Sequence, residues 1–214
     1  MKTDPRAFIL ANTRLMAPPH VPEIRLHLAD EAHDLWLKTE EDLQAIGLPP
    51  PFWAFAWAGG QGLARFVLDQ PHIVTGRTVL DFATGSGLVA IAAKLAGADR
   101  VTAADIDPWT RSAVTLNAAE NHVSIEFCPD DLVGRSLSAD LVLAGDVFYD
   151  HAFAQRLIPW FAALAEQGTT VIVGDPGRSY LPKERLAALA SYEVPVTRAL
   201  EDSEVKKTTV WRFL

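Results

Sequence analysis

The chain has 214 residues, 49% of them apolar and 21% charged, with a formal charge of −8. That length suits one α/β domain with a substantial core, and the composition, free of repeats and low-complexity tracts, excludes a disordered chain. The acidic balance argues against a phosphate-tracking surface and so against a nucleic-acid partner, and the lone Cys128 excludes an internal disulfide or thiolate cluster.

A reducing, cytoplasmic setting is the plain expectation. No apolar run is long enough to cross a bilayer, and the opening residues MKTDPRAFIL lack both a signal-peptide core and an arginine-rich transit pattern. The six histidines show no helical pair or metal-ligand spacing, so no metal is expected. The sequence does not fix an oligomeric state, and a monomer is the default.

Asp4-Pro5 predicts a cap and first turn for a short helix through about Leu15. Ala29 to Ile46 fits an amphipathic helix closed by Gly47. Pro49-Pro50-Pro51 opens a stiff extended segment in which Trp53, Phe55 and Trp57 alternate as on a half-buried strand, followed by a helix from about Gly60 to Asp69. From Thr78 the chain alternates. Strands are expected near 78–82, 100–105, 124–127, 140–145 and 169–174, with helices near 87–96, 108–121, 151–166 and 182–190. Such alternation implies a parallel sheet covered on both faces. Glu193–Thr197 and Val205–Phe213 then read as an antiparallel hairpin, which completes seven strands. The expected organisation is an N-terminal helical extension over 1–50 and one Rossmann-like α/β unit over 51–214.

The chemistry gathers where the first strand ends. Thr78-Val79-Leu80-Asp81-Phe82-Ala83-Thr84-Gly85-Ser86-Gly87-Leu88 delivers a buried strand to a glycine turn, and Asp105 follows the next strand at the distance of a ribose-binding acid. Alone, Gly85-Ser86-Gly87-Leu88-Val89-Ala90 matches the dinucleotide fingerprint, so a nucleotide-dependent oxidoreductase competes with other adenosine ligands, and a turn with no ligand is the plainer alternative. Asp81 favours S-adenosylmethionine. A carboxylate at that position repels a pyrophosphate, whereas it attracts the ammonium of a methionine moiety; capping a helix or loop is its structural alternative. No tyrosine–lysine pair of the short-chain dehydrogenase kind is present, because neither Tyr149 nor Tyr192 has a lysine four residues on.

Asp81-Phe82-Ala83-Thr84-Gly85-Ser86-Gly87 resembles motif I of the seven-β-strand methyltransferases, with Ala83 where glycine is usual, and Asp146-Val147-Phe148-Tyr149 resembles the Asp-x-x-Tyr motif of the protein-lysine methyltransferases. Together with Pro51–Gln61 and Gly174-Asp175-Pro176-Gly177-Arg178, these segments resemble the electron transfer flavoprotein β-subunit lysine methyltransferase family, from about residue 30 onward. The resemblance implies S-adenosylmethionine as cofactor and a lysine of the electron transfer flavoprotein β subunit, or of a ribosomal stalk protein, as acceptor. It implies Asp105 at the ribose, Ala83, Gly85, Gly87 and Gly145 against the cofactor, Asp131 (or its neighbour Asp130) at the adenine amino group, and Trp57 beside the cofactor. Trp53, Asp175 and Arg178 are implied at the substrate, with core packing for Trp53 and an internal ion pair for the other two as alternatives. Asp146 and Tyr149 are implied as the catalytic pair, against cap and core alternatives. Another acceptor, or an inactive cofactor-binding module, are the remaining functional alternatives.

Methyl transfer to lysine needs a neutral amine, whose formation at pH 7 costs about 4–5 kcal/mol. A neighbouring carboxylate favours the charged form, so Asp146 is expected to orient the amine and stabilise developing charge rather than act as a simple base.

Overall fold

The computed structural model describes residues 4–29, 50–196 and 203–214. The helix expected over 29–46 lies almost wholly outside them.

Asp4 accepts from the Arg6 amide and starts α1 (Pro5–Asn12), as the Asp-Pro pair predicts. The helix stops before Leu15 because Asn12 and Thr13 donate to the Phe8 and Ile9 carbonyls and the chain turns into β1 (Arg14–Met16). β1 pairs antiparallel with β2 (Leu26–Leu28), so the extension is part ribbon rather than wholly helical. It is also core: Val21, Ile24, Leu26 and Leu28 pack with Leu63, Val67 and Ile91 on one face of the main sheet. Each such buried side chain contributes about 1.5–3 kcal/mol.

After Pro51 the structure shows a 3₁₀ turn (Phe52–Ala54) in place of an extended segment, with the Ala54 amide donating to the Pro51 carbonyl at 2.9 Å. The alternation of Trp53, Phe55 and Trp57 therefore does not mark a strand face. The main body follows as α2 (Ala58–Asp69), β3 (Thr78–Phe82), α3 (Leu88–Leu95), β4 (Arg100–Ala104), α4 (Thr110–Glu120), β5 (Glu126–Cys128), β6 (Leu141–Gly145), α5 (His151–Glu166), β7 (Thr170–Asp175), β8 (Leu186–Pro195) and β9 (Val205–Phe213). The seven-stranded sheet runs β5-β4-β3-β6-β7-β9-β8, with β9 antiparallel to both neighbours and the rest of the β5-to-β7 set parallel. The second face is covered by α5, through Leu157, Trp160 and Phe161 against Phe82, Val142 and Val173.

The helix expected over 182–190 is a correction. Residues 183–185 make one 3₁₀ turn, and Leu186 then enters β8, paired with β9 from Leu186–Phe213 to Pro195–Val205. Leu-Ala-Ala-Leu-Ala favours helix in isolation, but β9 lies beside it and pairs with Leu186–Ala188 and Ala190, and pairing overrides propensity. A register shift between Ala188 and Ala190 leaves Leu189 exposed.

The order of the strands places the β3–β4 and β3–β6 junctions at the centre of the sheet, where the connections diverge to opposite faces. Ligands collect outside the carboxyl ends of strands at such a point.

Candidate active site

At those carboxyl ends lies a cavity of about 640 Å³, within the range of ligand pockets. Its walls come from three sources: the turn and start of α2 (Phe52, Phe55, Trp57, Gly60), the segments at the ends of β3 and β4 (Asp81, Ala83–Ser86, Leu88 and Val89; Asp105–Pro108 and Thr110), and the segments after β6 and β7 (Gly145, Tyr149, Phe153, Arg178).

The glycine loop is held in a conformation that few residues adopt. Ala83, Gly85 and Gly87 have φ of 53°, 51° and 81°. Glycine enters that left-handed region freely, while alanine does so at a cost of roughly 1–2 kcal/mol. Local bonds fix the turn: the Thr84 amide donates to the Ala104 carbonyl, the Gly87 amide to the Thr84 carbonyl, and the Gly85 amide to Asp105 Oδ2 at 3.0 Å.

Asp81 is 1% exposed and lines the cavity. Its Oδ2 accepts from the Thr84 hydroxyl and, at 2.9 Å, from the Ala90 amide in the first turn of α3. The cap named as its structural alternative is thus present together with a place in the cavity wall. Burial pushes its carboxyl up to about 7, against the downward pull of those hydrogen bonds, with a further upward contribution from Asp105. Asp105 accepts from the Gly85 and Asp107 amides, and burial raises its pKa also. Asp107, pushed up to about 6 by burial, was not anticipated; nor were Ile106, 71% exposed on the rim, Pro108 and Thr110. Their only sequence signal is that they continue the loop begun by Asp105.

Of the other residues expected at the site, Gly85, Gly145, Trp57, Tyr149 and Arg178 line the cavity together with Ala83, while Gly87, Trp53, Asp131, Asp146 and Asp175 are absent from its walls. Gly87 instead ends the loop as the residue before α3 and abuts Val114. Trp53 is a core residue, fully buried with Ile9 and stacked on Trp109 at 6.4 Å. Asp131 sits on the surface, paired with Arg156 at 2.6 Å, a contact that holds its carboxyl below the usual range; Asp130 pairs with Arg135. The double acid after β5 therefore faces arginines in this structure.

Asp146 is built into the fold. Its φ is 57°, it is 8% exposed, its Oδ2 accepts from the Gly59 amide in the first turn of α2, and its Oδ1 accepts from Arg178 Nε and Nη2 at 2.7 and 2.6 Å. The cap of α5 is Asp150, which accepts from the Phe153 amide at 2.8 Å. Asp175 is buried and accepts from the Gly177 and Arg178 amides, which shapes the loop that presents Arg178; burial raises its carboxyl. Tyr149 is half exposed at the rim, 5.8 Å from the Phe52 ring and 6.3 Å from Phe153, and Trp57 lies 5.9 Å from Phe52 with its indole N–H donating to the Phe52 carbonyl.

α2 can bring these groups together because four glycines meet at its start. A Cβ on Gly174 would overlap the Gly59 carbonyl oxygen, and one on Gly145 would sit 2.7 Å from the Gly60 Cα. The helix N-terminus thereby packs directly on β6 and β7.

The donors fit S-adenosylmethionine better than a dinucleotide. A buried acid stands at one wall where a diphosphate would be repelled, a second acid with spare lone pairs suits a ribose diol, and Leu88, Val89, Ile106 and Pro108 offer apolar surface for a purine. A seven-stranded sheet with this order and this cavity defines an S-adenosylmethionine-dependent methyltransferase. Residues 65–174, about half of the chain, match the family model of ribosomal protein L11 methyltransferase (PrmA). The electron transfer flavoprotein β-subunit lysine methyltransferase of Xenopus laevis is 39% identical over 99% of this chain and 87% of its own length, and that of Homo sapiens 34% identical over 97% and 81%. This chain belongs to the electron transfer flavoprotein β-subunit lysine methyltransferase family. Among solved structures, magnesium protoporphyrin IX methyltransferase of Synechocystis with bound S-adenosylmethionine superposes with a TM-score of 0.53 at 17% identity, covering 73% of this chain and 80% of the other. The L11 methylase of Lactobacillus delbrueckii gives 0.51 at 22% identity, over 73% and 79%. These two share the fold.

Proposed function

We propose that this chain transfers the methyl group of S-adenosylmethionine to a lysine amine of the electron transfer flavoprotein β subunit. The identity of 34–39% over nearly the whole chain, which spans both the cofactor loop and the aromatic rim, carries this reading. The match to ribosomal protein L11 methyltransferases in curated relatives spans 35% of the chain, so it supports the cofactor half more than a ribosomal acceptor. The lone cysteine supports a reducing, cytoplasmic setting. Among the described residues no helix is long and apolar enough to cross a membrane.

The cofactor supplies an electrophilic methyl on a sulfonium. In our reading Asp81 holds its ammonium end, Asp105 accepts from the ribose hydroxyls, the Ala83–Gly85 backbone and Gly145 leave room for its chain, and Trp57 closes one side. The acceptor approaches between Phe52, Trp57 and Tyr149, whose faces suit an alkylammonium stem and a methylated product. Burial raises the Tyr149 phenol, which keeps it protonated and able to accept from the amine. Asp146, with both oxygens engaged, acts through its partners: it fixes Arg178 and the start of α2. A carboxylate neutralised by arginine also ceases to hold a nearby lysine in its ammonium form. The amine loses its proton to water, and the rim orients the nitrogen for in-line attack.

Asp146→Asn tests the positioning role. The variant weakens the bond to Arg178 and is expected to lower kcat about 10²-fold, with the dissociation constant for S-adenosylhomocysteine within about threefold. Calorimetry and single-turnover labelling read the two separately; an undiminished kcat removes Asp146 from the site.

A pH dependence follows from Asp81. Its folded-state pKa near 7 lies above the ordinary carboxyl value, so without ligand its ionisation costs stability as pH rises from about 4 through 7. A bound ammonium favours the ionised form. Affinity for S-adenosylhomocysteine should therefore fall as pH drops below 7, approaching tenfold per pH unit, and Asp81→Asn should flatten that slope while lowering affinity throughout. Calorimetry between pH 5.5 and 8 checks it.

The acceptor is tested with methyl-labelled cofactor and purified electron transfer flavoprotein, with ribosomal protein L11 beside it. Label on a β-subunit lysine, located by mass spectrometry, is the expected result. Label on L11 alone would transfer the assignment to the ribosome.

A further inference from the structure

Among the described residues β2 has a strand partner, β1, on one side only. On the other, α4 presents Asn117 and Asn121, one turn apart, to the alternate residues Arg25 and His27. The Arg25 amide donates to Asn121 Oδ1 at 2.9 Å, Asn121 Nδ2 donates to the Arg25 carbonyl at 2.6 Å and to the Asn117 carbonyl at 2.7 Å, and the His27 amide donates to Asn117 Oδ1 at 2.7 Å. Four residues of helix rise roughly 6 Å and two residues of strand roughly 6.6 Å, so the two amides stand in for a neighbouring strand.

Asn117 does one thing more. It is fully buried, and its Nδ2 donates to the carbonyl of Ser86, at 2.8 Å, in the turn that borders the cavity. Val114, one turn earlier, packs where a Cβ on Gly87 would come within 3.3 Å. The turn is built from left-handed residues, so its shape depends on such anchors rather than on a regular ladder. Beyond β2 the Ala29 amide donates to the Ala54 carbonyl at 2.9 Å, in the turn that carries Phe52 to the opposite wall.

We propose that Asn117 is a positioning residue for cofactor binding: its one side chain, fixed by the His27 amide of β2, donates to the Ser86 carbonyl and directly holds the glycine turn in its binding shape. The proposal rests on the cavity as the cofactor site. Asn121 grips the same ribbon without touching the turn, which supplies the control.

The experiment measures Tm, the dissociation constant for S-adenosylhomocysteine, and KM for cofactor and acceptor in Asn117→Ala and Asn121→Ala, at a temperature where both are folded. Asn117→Ala should bind at least tenfold more weakly, with KM for S-adenosylmethionine raised in step and KM for the protein acceptor unchanged. Asn121→Ala should lose Tm comparably and bind within twofold of the unmodified protein. Asn117→Asp, which keeps the acceptor for His27 but turns an anion toward the Ser86 carbonyl, should also weaken binding at least tenfold and is read if the alanine variant does not fold. Binding within twofold in either folded Asn117 variant overturns the proposal, as does equal weakening by Asn121→Ala. Absence of binding by the unmodified protein would overturn this proposal and the reading of the cavity together; binding by it with unaffected variants would overturn this proposal alone.

Discussion

Asp105→Ala is expected to raise the dissociation constant for S-adenosylhomocysteine by about 10²–10³-fold, the largest binding effect in the site. The carboxylate already accepts from the Gly85 and Asp107 amides, so it is fixed before any ligand arrives. Its remaining lone pairs accept from ribose hydroxyls, and two hydrogen bonds to a charged group contribute roughly 3–5 kcal/mol together. Alanine removes these and also leaves the Gly85 amide without its partner, which loosens a turn already strained at Ala83. Asp105→Asn should fall between, since it keeps one acceptor oxygen. Calorimetry gives the affinity directly, and a constant within threefold of the unmodified value would disprove the ribose assignment.

Gly174→Ala is expected to destabilise the fold by about 3 kcal/mol or more, a Tm drop of about 6–12 °C for a chain of this size. The added methyl meets the Gly59 carbonyl oxygen, with Leu63 Cβ at 2.8 Å and the Gly59 carbonyl carbon at 3.1 Å. Both glycine obstacles are backbone, so relief requires α2 to lift from β7. That movement would carry the Gly59 amide away from Asp146 and displace Trp57 from the cavity wall, and activity should fall further than stability alone explains. Gly60→Ala is the contrast: open space surrounds its Cβ position, and alanine favours a helix, so Tm should hold or rise slightly. Thermal scans with and without S-adenosylhomocysteine distinguish the two, and an unchanged Tm in Gly174→Ala would contradict the close approach.

The cofactor half was legible because its sequence signals are local. β3 over Thr78–Phe82 and α5 over His151–Glu166 match the predicted bounds. The expected glycine turn is present, with Gly85 and Gly87 in the left-handed region. What failed depends on neighbours distant in sequence. Leu186–Ala190 is helix-prone alone and becomes strand because β9 lies beside it. Trp53 and Trp57 are alike in the sequence, yet the 3₁₀ turn sends one into the core with Trp109 and the other to the cavity. Asp146 and Asp131 were recognisable as acids at strand ends. Which group would neutralise each was not, because Arg178 reaches Asp146 from the loop after β7 and Arg156 reaches Asp131 from α5. Asn117 carries no signal of its own in a helix that reads as ordinary.

The position of β9 has a consequence for partial chains. It is the bridge between the parallel strands and the outermost β8, pairing with β7 from Ile172 to Asp175. A fragment lacking Val205–Phe213 would present a bare, valine-rich ribbon of unsatisfied amides and carbonyls. Such an edge recruits a second copy readily, so proteolytic clipping there should yield insoluble material rather than a trimmed, working enzyme.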